Sequence, residues 1–229
     1  MSQALFHIPS SATPPQGSST IYDLNRLGTW SEGGLWVIDI APGAEHRYVG
    51  MTSTLIHLTE GSINTFSAGD YGGLESGEHV LRNTGSIPAR AILMELLGGN
   101  LTPGVFQVET TPIENRPLGI HLKALAPQVM SGATVGYEYV ELPALCTVTR
   151  HTHSHSSALF LVLNGTGYAG RQIEGQDVIE EIGPGSVIPF PATIEHGFYT
   201  TTGLVGISGQ IPSIETDYGA VTDRVFNYP

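Results

Sequence analysis

Apolar residues along the chain come in short runs that alternate with polar ones and are cut by Gly and Pro, the pattern of strands between turns. In the first half, GLWVIDIAPGA (34–44), TLIHLTEG (54–61), EHVLRNTG (78–85) and ARAILMELL (89–97) read as strands. By propensity ARAILMELL would also suit a short helix; its place after a turn favours strand. A second series runs through GYEYVELPALCTVTRHTHSH (136–155), SALFLVLNGTGYAG (157–170), DVIEEIGPGSVIPF (177–190), HGFYTTTG (196–203) and LVGISGQI (204–211). Between the two series, residues 98–133 carry the turns GGNLTPG and ENRPLG and read as linker, with HLKALAPQVM (121–130) as one helical turn or an edge strand. Residues 8–20, IPSSATPPQGSST, read as an extended arm.

The two series echo each other in order. GLWVIDIAPGA aligns with GYEYVELPALC, TLIHLTEGSI with LFLVLNGTGY so that Gly61 falls on Gly165, and EHVLRNTG with EHGFYTTTG so that His79 falls on His196. The spacing lengthens between the last two matches, which puts an insertion near residues 171–181. Repeated order of this kind points to two β domains related by duplication. The helix-poor, Gly-punctuated text predicts an all-β chain of two antiparallel jelly-roll barrels, an architecture that removes exposed strand edges. The expected boundaries are an arm at 1–30, a first barrel at 31–105, a linker at 106–135 and a second barrel at 136–229.

Charge and composition narrow the function classes. Twenty-one acidic residues against nine Lys and Arg give a net charge of −12 at pH 7. That charge repels nucleic acid and anionic lipid, so neither is an expected partner. Charged residues make up only 13% and hydrophobic ones 40%, which suits a packed core rather than a disordered chain. The single cysteine, Cys146, excludes an internal disulfide framework and a Cys-rich zinc site. The opening MSQALFHIPSS lacks the basic and apolar regions of a signal peptide, and no apolar run approaches the ~18 residues that span a bilayer. The expectation is a soluble, cytoplasmic protein. An unpacked N-terminal arm gains by covering the exposed strand edge of a neighbouring chain, which predicts a homodimer.

The candidate chemistry lies in the nine histidines, three of which occupy every second position of RHTHSHS. In a strand, residues i, i+2 and i+4 face the same way, so His151, His153 and His155 share one face there. Imidazole suits Zn, Fe, Cu, Ni and Mn, and two such histidines need a third ligand from another strand. Cys146, at an odd separation from His151, falls on the opposite face. His7, His57 and His121 stand alone and read as surface or hydrogen-bonded histidines, and Glu195 as a rim carboxylate beside His196.

RHTHSHSSALFLVLNGTG followed by GPGSVIPFPATIEHGF resembles the two motifs of the cupin superfamily, G-x5-H-x-H-x3,4-E-x6-G and G-x5-P-x-G-x2-H-x3-N. Gly165 anchors the first motif, whose histidines fall on His151 and His153 and whose glutamate falls on Ala158. In the second, Gly185 and Pro191 match, the inner glycine falls on Thr193, the histidine on His196 and the terminal Asn on Thr200. The resemblance implies conical β-barrels with a metal held inside by His151, His153 and His196. The acidic ligand is missing at Ala158, and His155 is the candidate to replace it, or to act instead as a catalytic base at the cavity mouth. The first half resembles a cupin barrel that has lost its metal: counting from Gly61, the ligand positions fall on Arg47, Val49 and Thr54, and His79 and Asn83 survive. The resemblance therefore implies a two-barrel cupin with one divalent transition metal per chain, Fe(II) first, with Zn, Mn, Ni or Cu as alternatives.

A neutral ligand set leaves the metal's charge available to an anionic small-molecule substrate. With Phe160, Val162, Phe190, Phe198 and Ile207 as candidate cavity residues, an apolar pocket suits an aromatic or polyketide-like ligand. The expected activity is that of a dioxygenase, with a metal-dependent isomerase or cyclase, or a non-enzymatic small-molecule-binding protein, as alternatives, because fold does not settle function. No dinucleotide fingerprint, phosphate-binding loop or GxSxG elbow is present.

Overall fold

Strands that stay apolar at consecutive positions mark sheets buried on both faces. Leu35–Ile40, Thr54–Glu60, Ala89–Glu95 and Ser157–Gly165 are of this kind, and each lies in the interior of a sheet. The structure, a computed structural model, describes residues 5–9, 14–27, 33–211 and 224–226. Its one α-helical turn among these residues is Ala126–Val129. No helix of the described residues is long and apolar enough to cross a membrane.

The first half builds a six-stranded antiparallel sheet in the order Val105–Gln107, Asp70–Leu74, Thr54–Glu60, Ala89–Glu95, Leu35–Ile40, Ser19–Asp23. The second half repeats that order in a seven-stranded sheet: Phe6–His7, Ser186–Phe190, Ser157–Gly165, Leu204–Ile211, Gly136–Leu142, His121–Ala124, Glu114–Asn115. Opposite each large sheet lies a smaller one. In the first half it is the pair Glu45–Gly50 and Gly77–Arg82; in the second it is a five-stranded sheet carrying Cys146–His153 and His196–Thr200. The hairpin Gly167–Ile173 and Gln176–Ile182 is far longer than its counterpart Ser62–Ile63 and Phe66–Ser67, and the expected insertion falls within it. Gly61 and Gly165, the aligned glycines, both have positive φ (71° and 82°), and a Cβ on Gly165 would lie 2.2 Å from the Gly203 carbonyl oxygen. Each sheet is linear in its hydrogen bonding, so facing sheets, rather than rings closed by hydrogen bonds, enclose the cores.

Alternation within each strand explains three cores. Ile38, Ile56, Ala91 and Leu93 face the smaller sheet of the first half. Phe160, Val162, Ile188 and Phe190 do the same in the second. The intervening Val37, Leu55, Ile92, Met94, Leu159, Leu161, Val187 and Ile207 meet in a third cluster that joins the two large sheets back to back. Ile207 therefore belongs to the seam between the halves, not to a cavity.

Two expectations about connecting segments change. Phe6–His7 pairs with Ser186–Phe190 of the same chain, Ile8 is buried in the seam, and Arg90 donates to the Pro9 carbonyl at 2.8 Å. The described start of the arm thus covers an edge of its own second half, as Val105–Gln107 covers the matching edge of the first. Ser19–Asp23, also placed in the arm, is a sheet strand; residues 10–13 and 28–32, with the boundary at 30, lie outside the described residues. The segment expected as linker supplies His121–Ala124 to the second-half sheet and then the helical turn, so HLKALAPQVM is both strand and helix.

His57 sits at the seam, wholly buried, with Nδ1 2.9 Å from the Tyr137 hydroxyl. Burial lowers its pKa to about 4, and burial also raises that of Tyr137. Because the folded pKa lies below the free value of 6.5, the unfolded chain binds the extra proton. His57 stability is fully present above pH 6.5 and is lost as pH falls towards 4, by about 3 kcal/mol from the pKa difference. His57→Gln should flatten stability against pH between 6.5 and 4 relative to wild type, measured by urea unfolding. Parallel curves would rule this out.

Candidate metal centre

The histidine strand Cys146–His153 pairs with His196–Thr200 in the register Cys146↔Thr200 and Val148↔Phe198, then jumps to His151↔His196. Three steps on one strand oppose two on the other, so the histidine strand holds one extra residue, a β-bulge. Cys146 and Val148 pack in the second-half core, and the bulge lets His151 and His153 point to that same side. Cys146 therefore shares the histidines' side, contrary to the odd-spacing rule, and burial raises its thiol pKa. The strand ends at His153 and the chain bends through Ser154 and His155, so His155 leaves the alternation and is exposed.

Three imidazoles converge. His151, His153 and His196 are 6%, 4% and 3% exposed, with ring centroids 4.5–5.1 Å apart. Their nearest ligand nitrogens all lie within 4.8 Å of one another. An ion with ~2.1 Å bonds asks for roughly 3.0–3.4 Å between such atoms, which small ring rotations supply. His151 Nδ1 donates to the Thr149 carbonyl and His196 Nδ1 to the Ile194 carbonyl, each at 2.9 Å. A carbonyl only accepts, so the proton sits on Nδ1 and Nε2 presents its lone pair, the arrangement metal-binding histidines adopt. Phe190 stacks on His196 at 4.1 Å and 17°, holding its ring. The trio thus fits a divalent transition metal, and no other group of three metal-ligating side chains occurs among the described residues.

The loop entering His196 is held by Thr193, whose N–H donates to the His153 carbonyl at 2.7 Å. Thr193 stands where the cupin motif has glycine, and its φ is 68°. A β-branched residue in that region is strained, so the backbone shape survives without the residue that adopts it easily.

The histidines line a cavity of about 110 Å³. Phe160, Phe190 and Phe198 give it apolar walls, while Val162 packs behind them. Its volume is several times the ~10–15 Å³ that one water needs, so the cavity has room for a small molecule. The wall on the large sheet is polar. Glu138, 3% exposed, accepts a 2.7 Å hydrogen bond from Gln210 Nε2, which also lies 2.9 Å from Ser208 Oγ. Gln210 is the strand neighbour of Ala158, so an acid missing from the motif position enters the same cavity two strands away. Glu138 was missed in the sequence. The signal was available: in GYEYVEL, Glu138 shares a face with Val140 and Leu142, and an acid between apolar i±2 neighbours points inward. Arg116, from the segment read as linker, also lines the cavity.

Elsewhere the histidines have structural partners. His46 bonds Ser19 Oγ at 2.9 Å, His79 bonds the Glu75 carbonyl at 2.7 Å, and His121 lies 3.6 Å from Glu141. His7 is exposed. Glu195 pairs with Arg150 at 3.5 Å, as a rim carboxylate does. In the first half Arg47 and Val49 point outward, and Tyr48 is the residue opposite His79. Tyr48 and Gly50, not Arg47 and Val49, therefore occupy the inward positions, and Tyr48 bonds Thr54 at 2.9 Å. A larger cleft of about 560 Å³ lies between the halves, but Asp39 and three backbone carbonyls already engage its Arg90 and Lys123.

No protein-family model and no curated protein matches the chain. Solved structures do. An oxalate decarboxylase of Lactobacillus farciminis, in its formate complex, superposes with a TM-score of 0.71 at 12% identity over 99% of this chain and 89% of that one. A cupin 2 conserved barrel domain protein of Leptotrichia buccalis gives 0.63 at 15% over 90% and 95%. The oxalate decarboxylase of Bacillus subtilis, an enzyme with Mn(II) centres, gives 0.66 at 12% over 97% and 78%. At these identities the likeness defines the fold: the chain has the cupin fold, with a histidine trio that can hold a divalent metal.

Relief of strain at Thr193 should be measurable. Thr193→Gly is expected to stabilise the protein by about 1 kcal/mol, the strain released less the added freedom of glycine in the unfolded chain. The melting temperature should rise by roughly 2–4 °C. A fall would show that the threonine side chain matters more than its backbone.

Proposed function

We propose that the chain is a two-barrel cupin whose second barrel is a metal-dependent enzyme acting on a small organic molecule, and that its reaction is a dioxygenation. The observation that supports the enzyme reading is the convergence of three buried imidazoles in an aromatic-walled cavity. His151, His153 and His196 would hold the ion, Fe(II) first with Mn(II), Zn, Ni and Cu as alternatives. When bound, such an ion supplies a Lewis-acid centre and, if iron or manganese, a redox centre for oxygen chemistry. The Thr149 and Ile194 carbonyls fix two of the rings. Phe160, Phe190 and Phe198 line the cavity with apolar surface, and low polarity strengthens electrostatic contacts beside them. A second reading, isomerisation or cyclisation, is favoured by the buried carboxylate of Glu138, which lines the same cavity and can accept a proton there.

Elemental analysis of protein purified without a histidine tag tests this. About one equivalent of transition metal per chain is expected; two would show that the first half also binds. His151→Ala, His153→Ala and His196→Ala should each weaken metal binding by more than the roughly 10–100-fold typical when only a ligand's hydrogen-bond partner is lost. His155→Ala should keep the metal, since His155 lies outside the trio, and should lower turnover more than substrate binding if it is the catalytic base. No metal, with thermal stability unchanged by chelator, would favour a non-enzymatic binding protein.

A further inference from the structure

We propose that the cleft between the halves is a second binding site, separate from the histidine cavity, and that it takes a small organic monocarboxylate with an apolar tail, held at the Lys123 ammonium. The two sites lie on opposite faces of the strand Gly136–Leu142: Tyr139 lines the cleft, while its neighbours Glu138 and Val140 line the histidine cavity.

Lys123 lies on His121–Ala124, opposite Tyr139 in the register of the sheet, and lines the same cleft. It is only 7% exposed. Its Nζ donates to the Val108 carbonyl at 2.8 Å and, at a long 3.4 Å, to the Glu109 carbonyl, and the Tyr139 ring centroid is 6.0 Å away. These partners are two dipoles and a ring; among the described residues no carboxylate lies within ion-pair distance of Nζ. A buried charge normally has a counter-ion, because dipoles replace only part of the water it gives up. An ammonium also has three N–H donors, so one is left over after both carbonyls are served.

Arg90, in the same cleft, shows the contrast. Asp39 accepts from its Nε and its Nη2 at 2.7 Å each, so this cation is neutralised within the protein, and the Pro9 carbonyl takes a further Nη2 hydrogen. Its Nη1 keeps two N–H groups that no described residue engages. The cleft therefore holds one positive charge without a counter-ion, together with spare donors, which fits a single anionic head. Ile8, Val37, Val108, Leu161 and Leu163 supply apolar surface for the rest of the ligand. Glu60 and Glu109, both exposed, and the half-buried Glu141 stand in the same lining. Their charges oppose further negative charge on the ligand, so a monocarboxylate is favoured over a phosphate.

The test uses hexanoate and hexanamide, probes of equal size that differ in charge, titrated into the full chain and followed by protein NMR. Wild type should bind hexanoate at least about tenfold more tightly than hexanamide, the span of a hydrogen bond between charged groups. Lys123→Met, which keeps the stem and removes the charge, should reduce that ratio to about threefold or less, as for a neutral contact. Lys123→Gln serves the same purpose if the Met variant folds poorly. His151→Ala should bind hexanoate as wild type does, which separates this site from the histidine cavity, and inorganic phosphate should bind wild type more weakly than hexanoate. No binding of hexanoate, equal binding of the two probes, a ratio that survives both Lys123 substitutions, loss of hexanoate binding in His151→Ala, or tighter binding of phosphate would each overturn the proposal.

Discussion

One extra residue in the strand Cys146–His153 decides which way the site faces. In a regular antiparallel pair, Arg150 would oppose His196, and His151 and His153 would point away from the core that holds Cys146 and Val148. The bulge between Val148 and His151 reverses that parity. It brings His151 opposite His196, and His153 follows on the same side. The Thr149 carbonyl, inside the bulge, accepts a hydrogen bond from His151 Nδ1–H, so the irregularity that turns the ring also fixes its tautomer. The matching ribbon in the first half pairs without a register jump, and there Tyr48 occupies the place opposite His79.

The large sheets do double service because both of their faces are buried. One side of Gly136–Leu142 carries Tyr137 to His57 at the seam; the other carries Glu138, Val140 and Leu142 to the cavity. Packing between the halves therefore braces the wall that the site uses. The first half fits this role: its interior is filled by Tyr48, Phe66 and aliphatic side chains, and its outer face supplies the seam. The N-terminal segment adds a further tie, pairing with Ser186–Phe190 while its Pro9 carbonyl meets Arg90 of the first half.

The sequence by itself determined the all-β class, the recurring strand order and the three convergent histidines. These are legible because strand alternation, Gly-marked turns and metal-ligand chemistry are local: Gly61 and Gly165 announce their turns, and His151, His153 and His196 their likeness to a cupin motif. Only the tertiary structure decided the rest. A bulge is a disagreement between two strands and leaves no mark on either alone, so the side taken by Cys146 depended on pairing, as did the place of Tyr48 opposite His79 in the unbulged first-half ribbon and the exit of His155 into a bend. Glu138 joins the histidines from a separate sheet, and Phe6–His7 pairs with Ser186 and Val187 of a strand far along the chain. Contacts between distant segments are set by which surfaces bury together, and no local pattern encodes them.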